Sequence, residues 1–307
     1  MIKAVHTVAD AILKKIRRSS PYYKHYNNNL QWKINRSYMT YAQECRAKYA
    51  KNHDTSFGPS PLKEEPAIQF KGAISTDTAK MLSNKITELI EQGHECVFQN
   101  AEHKDLQTVI AQPLDNMGDS ILDVLRNPEV NDALISHFKG YYSMTAISAF
   151  RSFPSDKLIT SWLWHSDCYP PQTCKLFLHL TRADSETGAT DFMSVEDTMA
   201  YRKAGYFGLG GERIEDIEGF AKDHGLPYRP FHIDADPGDA TIFDMNFFHR
   251  AVSPIADYRD VVQLFFQPSP ISWEEDYAIN GELLKKPKAG FAKDPRFKEK
   301  TTASSMM

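Results

Sequence analysis

Cysteine is scarce in this chain. There are four in 307 residues, Cys45, Cys96, Cys168 and Cys174, and no two form a Cys-x-x-Cys pair. A disulfide framework is not implied at this length, and a reducing cytoplasm is the expected setting. No run of about 18 or more apolar residues occurs, so no membrane-spanning helix is expected. The first residues lack a compact apolar stretch ending in small residues, so no secretory signal is expected. Internal repeats and low-complexity tracts are absent. Glycines 205, 208, 210 and 211 cluster without forming a Gly-x-Gly-x-x-Gly turn after a strand, which excludes a dinucleotide-binding reading. What remains, 41% hydrophobic and 25% charged residues, is the composition of an ordinary globular protein of one or two domains.

Positive charge is concentrated at the start. Residues 1–53 hold eleven Lys/Arg against two Asp/Glu, a net +9, whereas the whole chain is -4 and the remainder therefore -13. Ile2, Val5, Val8, Ile12 and Ile16 recur at helical spacing beside Lys14, Lys15, Arg17 and Arg18. Residues 2–18 thus read as a basic amphipathic helix, suited to packing on the rest of the chain, to an oligomer contact, or to peripheral contact with an anionic membrane. Tyrosines 22, 23, 26, 38, 41 and 49 mix with this charge, but no nucleic-acid-binding module is present, and nucleic acid is not an expected partner.

The chemistry lies further on. His165-Ser166-Asp167 is followed, eighty-two residues after Asp167, by His249. Two imidazoles and one carboxylate can hold one triangular face of an octahedral divalent metal and leave the opposite positions open, the arrangement typical of non-haem Fe(II) oxygenases. In a strand, residues i and i+2 point to the same side, so His165 and Asp167 reach one metal together if Trp162 to Asp167 is strand or strand end. The third ligand must then come from another strand of a folded-over sheet, which a jelly roll provides. Asp236-Pro237-Gly238-Asp239 reads as a tight turn leading into the β-run Ala240–Phe243, with His249 at the end of that strand. Arg259 opens the next run, Val261 to Phe266, and can pair bidentately with a carboxylate held near the metal. Arg250 is the competing arginine; strand alternation turns it away from the metal. Cys168 adjoins the motif, but Asp167 is the better ligand for iron.

Trp164-His165-Ser166-Asp167, Glu186-Thr187-Gly188-Ala189-Thr190, Pro237-Gly238-Asp239 and His249 with Arg259 ten residues later together resemble the phytanoyl-CoA dioxygenase-like group of Fe(II)/2-oxoglutarate oxygenases, over roughly residues 66–270. Thr187-Gly188 stands where the family usually has Asn-Gly. The resemblance implies that His165, Asp167 and His249 ligate Fe(II). Arg259 would bind the distal carboxylate of 2-oxoglutarate, with O₂ as the second cosubstrate. By the family pattern Phe177 lines the cosubstrate pocket; Lys175 and His179, on the same strand face, are candidates to bind an acid there, the alternatives being a solvated lysine and a satisfied core histidine. Related halogenating enzymes lack the carboxylate, so Asp167 favours hydroxylation, with release of succinate and CO₂. Trp164 and Arg151 are candidates to meet a small-molecule substrate; for Arg151 the alternative is pairing with an acid.

The implied fold is mainly β with flanking helices, a double-stranded β-helix (jelly roll) core behind an N-terminal helical segment. The expected organisation is a basic extension over 1–60, an oxygenase domain over 61–275 with an insertion at 194–230, and a tail over 276–307. Expected elements are a short strand over 67–74, a helix capped by Ser75 or Thr76 and running to about Gln92, helices at 115–126 and 128–138, and two helices in the insertion, whose length and glycines suit either a lid or a static surface element. Two alternatives remain open. One is a cupin-like metal enzyme that does not use 2-oxoglutarate, against which Arg259 argues. The other is a catalytically silent jelly-roll binding protein, against which the intact His/Asp/His set argues.

Overall fold

The computed structural model describes residues 32–99, 105–157, 160–167, 172–208 and 213–285. The basic helix expected at 2–18, Cys168, Gly210, Gly211 and the end of the tail lie outside the described residues. No described helix is long and apolar enough to cross a membrane.

Helix α1 (Trp32–Tyr49) comes first, then strand β1 (Ala67–Phe70) and helix α2 (Thr76–Glu91). Strands β2 (Val97–Phe98) and β3 (Gln107–Ile110) precede helices α3 (Pro113–Met117), α4 (Asp123–Arg126) and α5 (Pro128–Phe138). Strands β4 (Tyr142–Ser152), β5 (Cys174–His179) and β6 (Thr190–Phe192) lead to helices α6 (Val195–Ala204) and α7 (Ile217–Asp223). Strands β7 (Phe231–His232), β8 (Ala240–Asp244), β9 (His249–Ala251) and β10 (Arg259–Pro268) and helix α8 (Trp273–Asn280) follow.

The strands form two antiparallel sheets. One has seven strands in the order β1-β8-β5-β10-β4-β3-β2, the other three in the order β7-β6-β9. This is the jelly-roll core. Strand alternation decides its layers. Ile147, Leu176, Leu178, Ile242, Val262 and Leu264 face outward and pack with Leu82 and Ile86 of α2 and Leu134 and Phe138 of α5. The intervening residues Phe150, Phe177, Phe243 and Val261 face inward and pack with Phe192 of the small sheet. The functional residues lie on this inner face.

Local signals explain the helices. The Ser75 hydroxyl accepts from the Thr78 amide at 3.0 Å and caps α2, whose Ala79, Leu82, Ile86 and Leu89 repeat at helical spacing and are buried. Asn127 caps α5, with Pro128 in its first turn. The stretch 115–126 is not one helix: the chain leaves α3 at Gly118, continues as a 3₁₀ turn over Asp119–Leu122, and only then forms α4. In α1, Tyr38, Tyr41, Ala42 and Cys45 form a buried stripe, so these tyrosines are core, not a stacking surface. Arg46 anchors the helix, donating to the Phe138 carbonyl at 3.0 Å and to Gln172 Oε1 at 2.6 Å.

The first strand ends at Phe70 and not at residue 74, and two further strand assignments differ from expectation. Residues 162–167 are not a strand; a 3₁₀ turn over Thr160–Trp162 leads to a single bridge between His165 and His249. His249 does not end the Ala240 run either. Strand β8 stops at Asp244, where the Phe247 amide bonds back to the Asp244 carbonyl at 3.2 Å, and His249 opens β9 in the other sheet. The turn between them carries the third candidate ligand from the large sheet to the small one.

Candidate metal centre

The bridge sets the site. His165 N–H donates to the His249 carbonyl at 3.1 Å and His249 N–H to the His165 carbonyl at 3.0 Å, so the two imidazoles lie side by side with ring centroids 4.4 Å apart. The Asp167 amide donates to the Met245 carbonyl at 2.8 Å, which fixes the next turn of the same edge. One ligand atom from each of His165, Asp167 and His249 lies within 4.8 Å of the others.

Hydrogen bonding selects the tautomers. His165 Nδ1 lies 2.7 Å from the Leu163 carbonyl and His249 Nδ1 2.9 Å from the Phe247 carbonyl. A carbonyl only accepts, so both Nδ1 atoms carry the proton and both Nε2 atoms present lone pairs to the centre. His249 Nε2 is buried with no hydrogen-bond partner among the described residues. Burial, then the neighbouring His249, pushes the His165 imidazole well below its ordinary range, so it is neutral. Burial would raise the Asp167 carboxyl, but the Lys175 ammonium holds it well below the usual carboxylate range. A neutral imidazole at His165 and an ionised carboxylate at Asp167 are protonation states a divalent metal requires. The donor set therefore fits a metal, and an orphaned buried nitrogen is what such an ion would satisfy.

The cavity in front of these residues measures about 300 Å³. Lys175 lines it and donates to Asp167 Oδ2 at 2.8 Å, with its ammonium 4.9 Å from the Phe265 ring centroid. Phe177 lines it beside Lys175. Arg259 also opens on it, 2% exposed, with one guanidinium NH donating to the Gly188 carbonyl. No carboxylate pairs with Arg259 among the described residues, its Nε has no partner, and burial pushes it down to about 10. It remains a cation at neutral pH, in a place where an unpaired charge is costly. Thr190 Oγ1, on the same cavity, is likewise buried without a partner.

The other sequence candidates sit elsewhere. Arg151 points to the outer face, where its Nε and Nη2 each lie 2.7 Å from an Asp260 oxygen, under the α2 residues Ser83 and Thr87. Strand alternation explains this, because Arg151 pairs with Asp260 across the β4–β10 ladder while its neighbour Phe150 points inward. Trp164 is buried away from the cavity, packed with Met193, Tyr201, Tyr206 and Phe248. Arg250 turns outward to Asp191 at 2.9 Å and lies 5.0 Å from the Trp164 ring centroid. His179 is pushed down to about 3 by burial and the nearby Arg259 charge, and its Nε2 bonds Thr241 at 3.1 Å.

The residues that brace the site carry only a weak sequence signal. Tyr206 donates to the Trp164 carbonyl at 2.6 Å, Ser166 Oγ to the Phe207 carbonyl at 2.9 Å, and the Ser166 amide to the Gly208 carbonyl at 3.3 Å. The glycine cluster was their one trace in the sequence. Gly188 is the other glycine with a definite task. At φ +87° it lies where a Cβ would be 2.7 Å from the Val252 carbonyl oxygen, and its own carbonyl holds Arg259.

No protein-family model matches this chain, and no curated protein matches it. Solved structures do. The chain is similar to the non-heme alpha ketoglutarate dependent carbocyclase SnoK from nogalamycin biosynthesis, with a TM-score of 0.48 and 16% identity over 79% of this chain and 95% of that one. It is also similar to EctD from S. alaskensis with 2-oxoglutarate and 5-hydroxyectoine, with a TM-score of 0.48 and 13% identity over 67% of this chain and 73% of that one. The non-heme alpha ketoglutarate dependent epimerase SnoN from nogalamycin biosynthesis gives a TM-score of 0.47 and 11% identity over 75% and 83%.

Proposed function

We propose that this chain is an Fe(II)- and 2-oxoglutarate-dependent dioxygenase of the phytanoyl-CoA dioxygenase-like group, hydroxylating a small organic substrate with release of succinate and CO₂. The carrying observation is the pairing of two incomplete features at one cavity: a two-imidazole, one-carboxylate donor set whose histidines line it, and a buried arginine with no acid among the described residues. His165, Asp167 and His249 hold the metal, with each Nδ1 tied to a backbone carbonyl so that each Nε2 stays aimed. When bound, Fe(II) with 2-oxoglutarate supplies oxidative decarboxylation coupled to substrate oxidation by O₂.

The remaining residues bind and orient. Arg259 and Thr190 offer donors to the distal carboxylate of 2-oxoglutarate, relieving an unpaired charge and an unpaired hydroxyl together. The Gly188 carbonyl fixes the guanidinium before the ligand arrives. Phe177, packed edge-on against Phe150 and Phe243 at 6.2 and 5.0 Å, keeps that end of the cavity apolar and dry. Lys175 neutralises the Asp167 side of the centre and leans towards any acid bound there. Trp164 and Arg151 brace the fold instead of meeting substrate.

One observation also suits a metal-free binding protein: the Lys175–Asp167 ion pair satisfies the carboxylate without any ion. Anaerobic titration of the Fe(II)-loaded protein with 2-oxoglutarate separates the readings. A visible metal-to-ligand charge-transfer band, lost in His165→Ala, is the expected result. Bound metal without the band would favour a cupin-like enzyme, and no bound metal would favour the binding protein.

A further inference from the structure

The cavity is wider than the cosubstrate reading needs. The strands β5, β10, β4 and β3 are consecutive neighbours in the large sheet, and at about 4.8 Å per strand the face they share is roughly 14 Å across. Lys175, Phe177 and Arg259, on β5 and β10, belong to the metal and 2-oxoglutarate half. Ser148 and Phe150 of β4 and Gln107 and Val109 of β3 line the other half, with Ser161 above them.

Among the described residues, that second half carries no charge. Among the described residues lining the whole cavity, the cations are Lys175 and Arg259, and no carboxylate is included. Gln107, Ser148 and Ser161 offer neutral donors and acceptors. Gln263 Nε2 donates to Ser148 Oγ at 2.6 Å and leaves the serine proton to point outward. Val109 and Phe150 are cross-strand partners and form an apolar wall. The wall continues to the rim, because Phe98 of β2 pairs directly opposite Val109 and is 43% exposed.

Building on the dioxygenase reading, we propose that the β4–β3 half seats the substrate, and that the substrate is an uncharged, oxygen-bearing molecule with one apolar face. A cation placed there meets Lys175, Arg259 and a divalent metal, while the neighbouring acid Asp167 is already engaged by Lys175 at 2.8 Å and by that metal. An anion placed there is desolvated against neutral dipoles while Arg259 is engaged with the cosubstrate and Lys175 with Asp167. A hydroxylated or carbonyl-bearing apolar molecule loses neither way: its oxygens meet the amide and hydroxyls, and its hydrocarbon lies on Phe150 and Val109.

The test screens Zn(II)-loaded protein, held in excess 2-oxoglutarate, by saturation-transfer NMR against a fragment set balanced among uncharged, cationic and anionic compounds. Uncharged oxygen-bearing fragments are expected to supply most of the hits. Gln107→Glu places a carboxylate in the neutral half at a half-buried position, and is expected to add cationic fragments to the hit list. Hits dominated by ions, no hits, or a Gln107→Glu profile identical to wild type would each overturn the proposal. The Fe(II)/2-oxoglutarate band of the wild-type protein is read alongside: its absence counts against the dioxygenase reading, whereas a band accompanied by ion-dominated hits removes only the substrate class.

Discussion

Gly208 lies so close to His165 that a Cβ on it would sit 2.7 Å from the His165 Cα. Its φ of +64° is one that side-chain-bearing residues rarely adopt, and its carbonyl receives the Ser166 amide. The insertion therefore braces the backbone of the His-x-Asp segment from behind, opposite its bridge to His249. Its helices α6 and α7 bury Tyr201, Ile217 and Ala221 against Trp164 and Phe248, the neighbours of two candidate ligands.

Gly208→Ala should accordingly displace His165 and Asp167 while leaving the large sheet intact. Loss of comparable support around metal ligands costs about 10–100-fold in affinity. Isothermal titration with Mn(II) as a stable stand-in should show that loss, with far-ultraviolet circular dichroism unchanged. Wild-type affinity in Gly208→Ala would mean that the insertion does not set the site.

Arg259 gives a prediction with opposite signs for binding and stability. Burial lowers its pKa to about 10, so the folded state holds the proton less tightly than the unfolded chain does. The penalty is fully present below pH 10, where both states are protonated, and is relieved as pH rises from there towards the ordinary arginine value. Arg259→Met removes the penalty, offset in part by stranding the Gly188 carbonyl. The ligand-free variant should thus melt higher than wild type, by on the order of 1 kcal/mol. It should also lose 2-oxoglutarate binding, by about 2–5 kcal/mol. Calorimetry with and without 2-oxoglutarate reads both. A variant destabilised in the ligand-free state would show that Arg259 is already satisfied.

Much of the candidate site was legible because it depends on residue type. His165, Asp167, His249 and Arg259 stand out as a set of donors at strand-compatible spacing; the structure gathers the first three within reach of one ion and places both histidines and Arg259 on one cavity. Helix ends were legible where a short polar side chain does the capping, as at Ser75, or where a proline opens the first turn, as at Pro128. What the sequence hid depends on register. That Arg151 faces Asp260, and that Gln107 and Ser148 share a face with Arg259, follows from pairings between β3, β4 and β10 separated by up to about 150 residues of chain. No local pattern encodes those partners. Gly208 was visible as one glycine among several, but its contact with His165 belongs to the fold.

Arg151 and Asp260 form a buried pair on the outer face, and their role is separable from the cavity. Both Arg151 nitrogens reach the carboxylate, Ser83 adds a hydroxyl at 2.7 Å, and Tyr258 lies 3.7 Å from the guanidinium. Arg151→Ala leaves Asp260 buried and unpaired, which should cost about 3–5 kcal/mol. Below its melting transition the variant should retain wild-type affinity for Fe(II) and 2-oxoglutarate. A loss of cosubstrate affinity without loss of stability would return Arg151 to the binding site.

Lys175 sets the balance between an ion pair and a metal. Its ammonium sits 2.8 Å from Asp167 Oδ2, the same carboxylate that a divalent ion would take. An ammonium so close to an incoming dication repels it and must give up its contact as the ion binds, an effect of roughly 1 kcal/mol or more in a partly buried site. Lys175→Met keeps the stem against Phe177, Phe243 and Phe265 and removes the charge. Metal should then bind more tightly, whereas 2-oxoglutarate, deprived of a cation beside the centre, should bind more weakly. Mn(II) titration followed by 2-oxoglutarate titration of the loaded protein measures the two effects in turn. If both affinities fall together, Lys175 is supporting the shape of the site and not tuning its charge.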